Sequence, residues 1–426
     1  MSNPNRAPSL GFLSLTWLLL STASLGDELT IACGGPANIA LLCKEAAETW
    51  AQKTGNTVNV RPVNLLVDAR LSEFKLLLEA GADSVDVYEI DVIWTGSLGK
   101  HFLDLSPHFS ADEVDAFIPQ IKDTFEQEGA LKAVPWFVSA GLLYVRKDLL
   151  KKHGLNVPAT WEELRTTSRT ILNAERNLGN TDLTGFVFQG MPYEGLTCNA
   201  LEWIASSDGG QLLDADGNPT LDNPNAAAAL ARAASWLGDI SSQAVTAMSE
   251  QETLESFSSG NAIFMRNWPY AISQLKESDL SDRFEVALLP RGSAPEATTV
   301  AALGGFGLAV SKYSQHPEKA IDLIKYLTSE QEQFRRAEAA SLFPTRQILA
   351  TRSPLKDSFP FFDVVAEAVQ FAVPRPAIPA GEQYSRVSSV IWNYTFETLS
   401  GSTAASENLA AAAQTIREIM LEVKAE

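Results

Sequence analysis

The stretch DVYEIDVIW occupies residues 86–94 and is followed by Gly96. Its apolar run, closed by a glycine, predicts a buried strand. Upstream, LTIA at 29–32 predicts a first strand, and a helix is predicted over residues 39–54, ending at Gly55. Strands and helices that alternate in this way are typical of an α/β fold.

The same alternation continues downstream. Residues 57–63 predict a half-buried strand, and Pro62 indicates that this strand ends there or lies at a sheet edge. Thr160 and Glu163 form a capping box, because the Thr160 hydroxyl can accept from the Glu163 N–H while the carboxylate reaches back. This motif predicts a helix through about residue 174.

The chain length and the lack of linkers constrain the domain organisation. At 426 residues the chain is long enough for two domains. No long Pro-, Gly- or Ser-rich segment divides it into two halves. We therefore expect two lobes, each built from discontinuous parts of the chain, with several crossings between them.

The charge balance restricts the class of partner. The chain has 33 Lys and Arg residues against 52 Asp and Glu residues, a net charge of −19, and it contains no basic run. We therefore expect no nucleic-acid partner and no binding to anionic membrane surfaces.

Residues 1–26 have the features of a signal peptide. Arg6 supplies positive charge, residues 10–20 are apolar, and small residues follow up to Gly26. The apolar stretch is about half of the roughly 20 residues that a membrane-spanning helix needs, so we expect cleavage after Ala23 or Gly26. The predicted location of the mature protein is the periplasm.

Cysteine and histidine are too scarce for a disulfide framework or a zinc site. The three cysteines, Cys33, Cys43 and Cys198, allow one intrachain bridge at most, and the sequence leaves the pairing open. IAC at 31–33 has the form of a lipoprotein cleavage site, but we favour a strand there and leave lipid anchoring open. The four histidines lack neighbouring ligands, so we expect neither a metal nor a cofactor.

Five short segments carry aromatic, acidic and glycine residues in a fixed order. They are DVYEIDVIW (86–94), VPWFVSAGLLYVRKD (134–148), GFVFQGMPYEGLTCN (185–199), FMRNWPY (264–270) and LGGF (303–306). Together they resemble the carbohydrate-binding proteins of ABC importers, in the trehalose- and maltose-binding branch of the extracellular solute-binding family. The resemblance extends from about residue 29 to residue 399.

The resemblance implies a two-lobed periplasmic-binding-protein fold, with a helix-flanked sheet in each lobe and the ligand in the interlobe cleft. Closure of the lobes would capture the ligand and present it to a membrane permease. The implied crossings lie near Val138, Ala302 and Pro344. The implied lobes are residues 27–138 with 302–344 and residues 139–301 with 345–426.

The segments contain the residue types that a sugar site requires. A sugar has apolar C–H faces and a rim of hydroxyls, so it needs flat aromatic rings with fixed donors and acceptors. The resemblance assigns ligand contacts to Arg70, Asp91, Ser139, Tyr193, Glu194, Trp268, Tyr270, Gly304, Gly305, Phe306 and Arg375. Structural alternatives remain: a surface position for Arg70, a cap or loop role for Asp91, a turn at Tyr193 and Glu194, and core packing of Trp268.

Four departures from the family pattern bear on specificity. Ser139 stands where trehalose-binding members commonly carry Asp, and Phe306 stands where they carry Trp. The first helix begins without an acid, and Ala380-Gly381 replaces an aromatic pair. A weakened subsite would suit an α-glucoside with a small polar aglycone, such as glucosylglycerol, as well as a trehalose- or maltose-type disaccharide.

Two other classes of function compete with sugar capture. A secreted glycoside hydrolase needs two carboxylates in one cleft, for which Asp91 and Glu194 are the candidates. The chain lacks G-x-S-x-G, Walker and H-E-x-x-H motifs, so we favour binding over catalysis. Metal capture is disfavoured by the lack of clustered ligands. We expect a monomer that binds an α-glucoside and meets the permease subunits of an ABC importer.

Overall fold

The computed structural model describes residues 28–36, 38–351 and 354–423. The signal peptide predicted at residues 1–26 lies outside this described part of the chain. Within it, no helix combines the length and the apolar character that a membrane crossing requires.

The strands form two mixed sheets and one short hairpin. In chain order they are β1 (Glu28–Ala32), β2 (Thr57–Arg61), β3 (Val87–Asp91), β4 (Glu126–Gln127), β5 (Ala130–Leu131), β6 (Val134–Ala140), β7 (Leu142–Val145), β8 (Thr184–Val187), β9 (Ala262–Asn267), β10 (Glu285–Ala287), β11 (Ala301–Val310) and β12 (Ala372–Pro374). The first sheet has the order β12-β11-β3-β1-β2, and β6 also pairs with β11. The second sheet has the order β10-β7-β9-β8, while β4 pairs with β5.

Helices flank both sheets. In chain order they are α1 (Asn38–Thr54), α2 (Val67–Glu79), α3 (Thr95–Leu98), α4 (Ala111–Asp115), α5 (Pro119–Asp123), α6 (Lys147–His153), α7 (Trp161–Asn177), α8 (Glu194–Ala205), α9 (Pro224–Ala234), α10 (Glu250–Ser258), α11 (Ala271–Lys276), α12 (Pro317–Leu327), α13 (Glu330–Ala340), α14 (Gln347–Thr351), α15 (Leu355–Ser358), α16 (Phe362–Gln370), α17 (Ala377–Ala380), α18 (Tyr384–Leu399) and α19 (Ala405–Val423). α1 and α12 pack on the first sheet, and α7 and α10 pack on the second. The predicted α/β class is confirmed.

Local sequence signals set the ends of several elements. α1 ends at Thr54, and Gly55 follows with a φ of 72°, a conformation that glycine adopts without steric cost. The predicted capping box begins α7, because the Thr160 hydroxyl accepts from the Glu163 N–H at 3.2 Å. β2 lies at an edge of the first sheet, as Pro62 indicates.

The chain passes between the sheets at three places. β6 belongs to the first sheet and β7 to the second, with only Gly141 between them. The chain returns to the first sheet between β10 and β11. It leaves again after β12, which pairs in parallel with β11, and α18 then packs on α8 and α9 beside the second sheet.

The third crossing therefore lies later in the chain than the position predicted near Pro344. Phe343 still belongs to the first lobe, because its carbonyl oxygen accepts from the Val138 N–H at 3.0 Å. Part of the range 345–426, which the resemblance assigns to the second lobe, reaches the first sheet through β12. A three-residue strand that ends in proline leaves too weak a pattern to predict. The other lobe boundaries stay a prediction.

One disulfide is present in the described residues, between Cys33 and Cys43, and Cys198 is a buried free thiol. The bridge joins the residue after β1 to α1, across the turn that connects them. One bridge with one remaining thiol is the arrangement that the cysteine count allows. Cys33 follows β1 directly, in agreement with the strand interpretation of residues 31–33.

Candidate functional site

A cavity of about 150 Å³ lies between the two lobes. All of the predicted site residues line it: Arg70, Asp91, Ser139, Tyr193, Glu194, Trp268, Tyr270, Gly304, Gly305, Phe306 and Arg375. Two further acids of the lining, Glu89 and Glu250, were missed by the sequence interpretation. The structure thus gathers the predicted residues at one place, and their contact with a ligand stays a prediction.

Arg375 joins acids from both sides of the cavity. Its Nη2 donates to Asp91 Oδ1 at 2.8 Å, and its Nη1 donates to Glu194 Oε1 at 2.9 Å. Tyr384 and Ser388 on α18 donate to the same Glu194 carboxylate, each at 2.6 Å. All five side chains are buried. Both acids are therefore held in one hydrogen-bonded network at the third crossing.

This network argues against Asp91 and Glu194 as a hydrolytic pair. A nucleophile or general acid needs a carboxyl directed at the substrate, whereas these two carboxylates share one guanidinium. Burial raises the pKa of Glu194, and the charge of Arg375 opposes that rise. The arrangement suits hydrogen bonding to a polar ligand and a connection between the lobes.

Trp268 lines the cavity with Arg266 packed on its ring. The Arg266 guanidinium carbon lies 3.9 Å from the indole centroid, a cation–π contact. Arg266 is itself paired with buried Glu202, at 3.0 Å from Nε to Oε2. Glu202 also accepts from the Ala302 N–H at 3.0 Å, near the start of β11. Through Arg266 and Glu202, the Trp268 indole is therefore linked to the start of β11, where the chain returns to the first sheet.

Glu250 holds two aromatic side chains of the same wall. Its carboxylate accepts from the Tyr193 hydroxyl at 2.5 Å and from the Trp268 Nε1–H at 3.2 Å. Burial and the Glu250 charge raise the pKa of Tyr193, so its hydroxyl stays protonated and can donate. Ser249 and Glu252 form a capping box at this helix start. That pattern marks a helix in the sequence, but it does not indicate the contacts of Glu250.

Arg70 and Glu89 belong to the opposite wall. Arg70 lies on α2 and Glu89 on β3, with 3.6 Å between Arg70 Nη1 and Glu89 Oε2. The Gly34 N–H donates to the same Oε2 at 2.7 Å, and Arg70 stacks over the Phe306 ring. Burial raises the pKa of Glu89 to about 7, against the opposing charge of Arg70. Arg70 is 3% exposed, which excludes the surface alternative.

Several buried polar atoms at the cavity lack a hydrogen-bond partner among the described residues. They are Arg70 Nη1, Glu89 Oε1, Tyr270 OH and Arg375 Nε. Buried polar groups are normally hydrogen-bonded, so such atoms indicate an additional polar partner. Within the same described residues, no group of three or more His, Cys, Asp or Glu side chains is arranged to hold a metal ion.

Comparison with known proteins identifies the family. The model of the bacterial extracellular solute-binding proteins matches residues 40–334. The chain belongs to the bacterial extracellular solute-binding proteins. This solute-binding protein is 43% identical over 379 residues to a "Probable ABC transporter-binding protein" of Deinococcus radiodurans, a match that covers 88% of this chain and 90% of the relative.

Solved structures of solute-binding proteins share the fold. Maltose-bound MalE3 of T. maritima has a TM-score of 0.86 and 33% identity, over 92% of this chain and 99% of that chain. A Thermotoga lettingae solute-binding protein, bound with alpha-D-tagatose, has a TM-score of 0.82 and 23% identity, over 93% and 100% of the chains. These matches confirm the predicted two-lobed periplasmic-binding-protein fold. Family membership confirms a non-catalytic binding protein and removes the hydrolase alternative.

The solute-binding protein requires glycine where β11 passes the cavity. At Gly305 φ is 138°, and a Cβ would lie 2.5 Å from the Phe137 carbonyl oxygen. At Gly304 a Cβ would lie 2.7 Å from Ser139 Oγ and 3.1 Å from Trp268 Cζ3. Side chains at these positions would fill space at the cavity, so glycine keeps it open.

The four sequence departures have different outcomes in the solute-binding protein. Ser139 and Phe306 line the cavity, as expected for residues that bear on specificity. Ala380 and Gly381 are described but are not part of the lining, so the expected loss of an aromatic subsite does not fall at this cavity. The first helix lacks an early acid, but Glu89 from β3 places a carboxylate against the turn before that helix.

Proposed function

We propose that this solute-binding protein captures an α-glucoside in its interlobe cavity and delivers it to the permease of an ABC importer. The ligand is a maltose- or trehalose-type disaccharide or a glucosylglycerol-like osmolyte. One observation carries the proposal: aromatic rings on the second-lobe wall face a cavity whose opposite wall offers unpartnered polar atoms of Arg70 and Glu89.

The chemistry of a glucoside matches these two surfaces. The apolar C–H face of a pyranose stacks on an aromatic ring, and we assign that role to the Trp268 face away from Arg266. Hydroxyls at the ring edge both donate and accept, so they can satisfy the Arg70 guanidinium and the Glu89 carboxylate together. A flat apolar ligand would leave these buried polar atoms unpaired.

Two comparisons support the assignment. The Deinococcus radiodurans relative is named as an ABC transporter-binding protein, and MalE3 of T. maritima was solved with maltose. Both are more than 30% identical to this chain over most of its length. With the signal peptide predicted at residues 1–26, they support an exported protein that acts in the periplasm and meets permease subunits, and we propose that it does so as a monomer.

Contacts across the cavity suggest how a ligand is retained. Asp68 on α2 accepts from the Glu194 N–H at the start of α8 at 3.2 Å, so a first-lobe helix and a second-lobe helix are in contact. Arg375 joins the two lobes at the base through Asp91 and Glu194. A ligand that contacts both walls favours the conformation in which they are close.

A thermal-shift screen tests the proposal. Maltose, trehalose and glucosylglycerol are compared with mannitol and tagatose on the purified mature chain. A ligand that binds only the native state raises stability by about 2.7 kcal/mol at 100 times its Kd. We expect at least one α-glucoside to raise Tm by several degrees, with calorimetry giving its Kd.

Two results would contradict the proposal. The first is a shift with mannitol or tagatose and none with the three glucosides. The second is release of glucose from a bound glucoside, which would restore a catalytic function.

A further inference from the structure

Glu89 is an acid of the cavity lining that the sequence did not predict as a ligand contact. It lies on β3 two residues before Asp91, and alternate residues of a strand point to the same face. Asp91 is bound by Arg375, whereas Arg70 is the one cation within 4.0 Å of Glu89 in the part of the chain that the structure describes. The two acids of the first-lobe wall therefore differ in how much hydrogen-bonding capacity they keep.

We propose that Glu89 is a specificity-determining ligand contact, whose Oε1 accepts from a ligand hydroxyl that itself accepts from Arg70 Nη1. The inference rests on the proposed function and deepens it, because it names the group that the first-lobe wall selects. A hydroxyl can donate and accept at once, so one such group satisfies both unpartnered atoms.

Backbone contacts hold the Glu89 carboxylate in place. The Gly34 N–H donates to Oε2 at 2.7 Å, which leaves Oε1 as the atom without a partner. Gly34 follows Cys33, and the Cys33–Cys43 disulfide ties this turn to α1. Glu89 is 1% exposed and Arg70 3% exposed, so neither side chain swings into solvent to find another partner. The pair is a preformed recognition element rather than a flexible surface pair.

The charges around the pair favour a hydroxyl over an ammonium group. A cationic ligand group that bonds to Glu89 would lie beside the Arg70 guanidinium and be repelled by it. A ligand that lacks the hydroxyl leaves a buried donor and a buried acceptor unpaired, the arrangement that discriminates most strongly between related ligands.

The contact makes ligand binding depend on pH. The groups that face Glu89 are Arg70 from α2, Arg336 from α13, Asp91 from the same strand and the Gly34 amide. Burial raises the pKa of Glu89 to about 7. A hydroxyl that donates to Oε1 binds the ionised form, so the ligand lowers this pKa. Affinity is therefore full above pH 7 and falls as pH decreases through 7, by up to about tenfold per pH unit.

The test is calorimetry of maltose and trehalose binding between pH 5.5 and 8.5, in two buffers that differ in ionisation enthalpy. We expect the unchanged protein to release about half a proton per ligand at pH 7. Glu89→Gln should bind at least about tenfold more weakly at pH 8 and lose both the pH dependence and the proton release. Glu332→Gln is the matched control, a buried first-lobe acid that is outside the cavity lining.

Monodeoxy maltoses identify the hydroxyl. One of them should bind the unchanged protein more weakly yet lose nothing further in Glu89→Gln, because the two changes remove the same contact. Equal losses in both proteins for every deoxy sugar would overturn the assignment.

The outcomes separate this inference from the proposed function. If maltose, trehalose and glucosylglycerol all fail to bind the unchanged protein, both proposals fail. If sugar binds and Glu89→Gln keeps the same affinity and pH dependence, only the role of Glu89 is wrong. If Glu89→Gln does not fold, as judged by circular dichroism, the test rests on the pH dependence of sugar binding by the unchanged protein. A constant affinity from pH 6 to pH 8 overturns the inference. Release of protons on sugar binding supports it.

Discussion

The two walls of the cavity differ in how their side chains are held. On the second-lobe wall, Trp268 is bound through its Nε1–H by Glu250 and carries Arg266 on its ring. On the first-lobe wall, Arg70 and Glu89 each keep one buried polar atom without a hydrogen-bond partner in the described residues. The indole of the second-lobe wall is thus held before a ligand enters, whereas the Arg70–Glu89 pair of the first-lobe wall gains its missing hydrogen bonds from the ligand.

From this difference we expect the two walls to have different roles in ligand binding. A ring fixed in advance loses little conformational entropy when a sugar stacks on it, so the second-lobe wall supplies affinity. The unpaired atoms of the first-lobe wall form hydrogen bonds only with ligands that carry a hydroxyl at the right place, so that wall determines which ligands bind tightly. Substitutions on the second-lobe wall should therefore affect many ligands alike, and substitutions on the first-lobe wall should change their ranking.

The largest effect is expected on stability, from Arg266→Met, which removes the guanidinium that packs on the Trp268 ring. The change leaves Glu202 buried without its cation, which costs about 3–5 kcal/mol in the free energy of unfolding. Urea denaturation followed by circular dichroism measures the loss. Adding Glu202→Gln should recover part of it, because the unpaired charge is then gone.

The matched control for Arg266 is Arg169→Met. Arg169 pairs with Asp239 at the surface, where ion pairs contribute little, so the unfolding transition should hardly move. A similar loss in both variants would show that the Arg266 pair has no special role.

Trp268→Ala should produce the next largest effect, on binding. Buried aromatic contacts at recognition sites are often worth about 2 kcal/mol or more, which corresponds to about 30-fold in Kd. We expect maltose and trehalose to weaken alike in calorimetry, since both lose the stacking surface. Trp392→Ala on α18, outside the cavity lining, is the control. Affinity retained by a folded Trp268→Ala protein would contradict the assignment of stacking.

Glu250→Gln should produce the smallest effect. The amide keeps one acceptor oxygen where the carboxylate has two, so Tyr193 and Trp268 can no longer both donate to it. We expect about 3- to 10-fold weaker maltose binding, in the range of one lost hydrogen bond, with a changed indole fluorescence. Glu277→Gln, in the same lobe and away from the cavity, should change neither. A changed order of affinities among the ligands would show that Glu250 contributes to selectivity, the role that we assign to the first-lobe wall.

The sequence predicted the elements that carry the site more securely than the contacts within it. The strands around residues 29–32 and 86–94 and the capping box at Thr160 were readable because they depend on neighbouring residues. The predicted ligand residues all reach the cavity, because the resemblance supplied their positions. Glu89 and Glu250 were missed, since nothing in their own segments shows that Gly34 or Tyr193 lies beside them.

The position of the third crossing and the pairing of the cysteines could also not be predicted from the sequence. β12 has three residues and joins the first sheet only through its pairing with β11. Three cysteines allow three pairings, and the turn after β1 selects Cys33 with Cys43. In both cases the partner lies in another segment, and chain order does not reveal which segments meet.

The sequence by itself determined the α/β class, the acidic charge, the expected export and the set of aromatic and charged residues available for a ligand. These properties follow from composition, from hydrophobic periodicity and from motifs of a few residues. Only the tertiary structure decided that Arg375 pairs with Asp91, 284 residues away, and that Glu89 keeps an unused acceptor. Hydrogen bonds and ion pairs form over a few ångströms, so their partners are known only once packing has brought distant segments together.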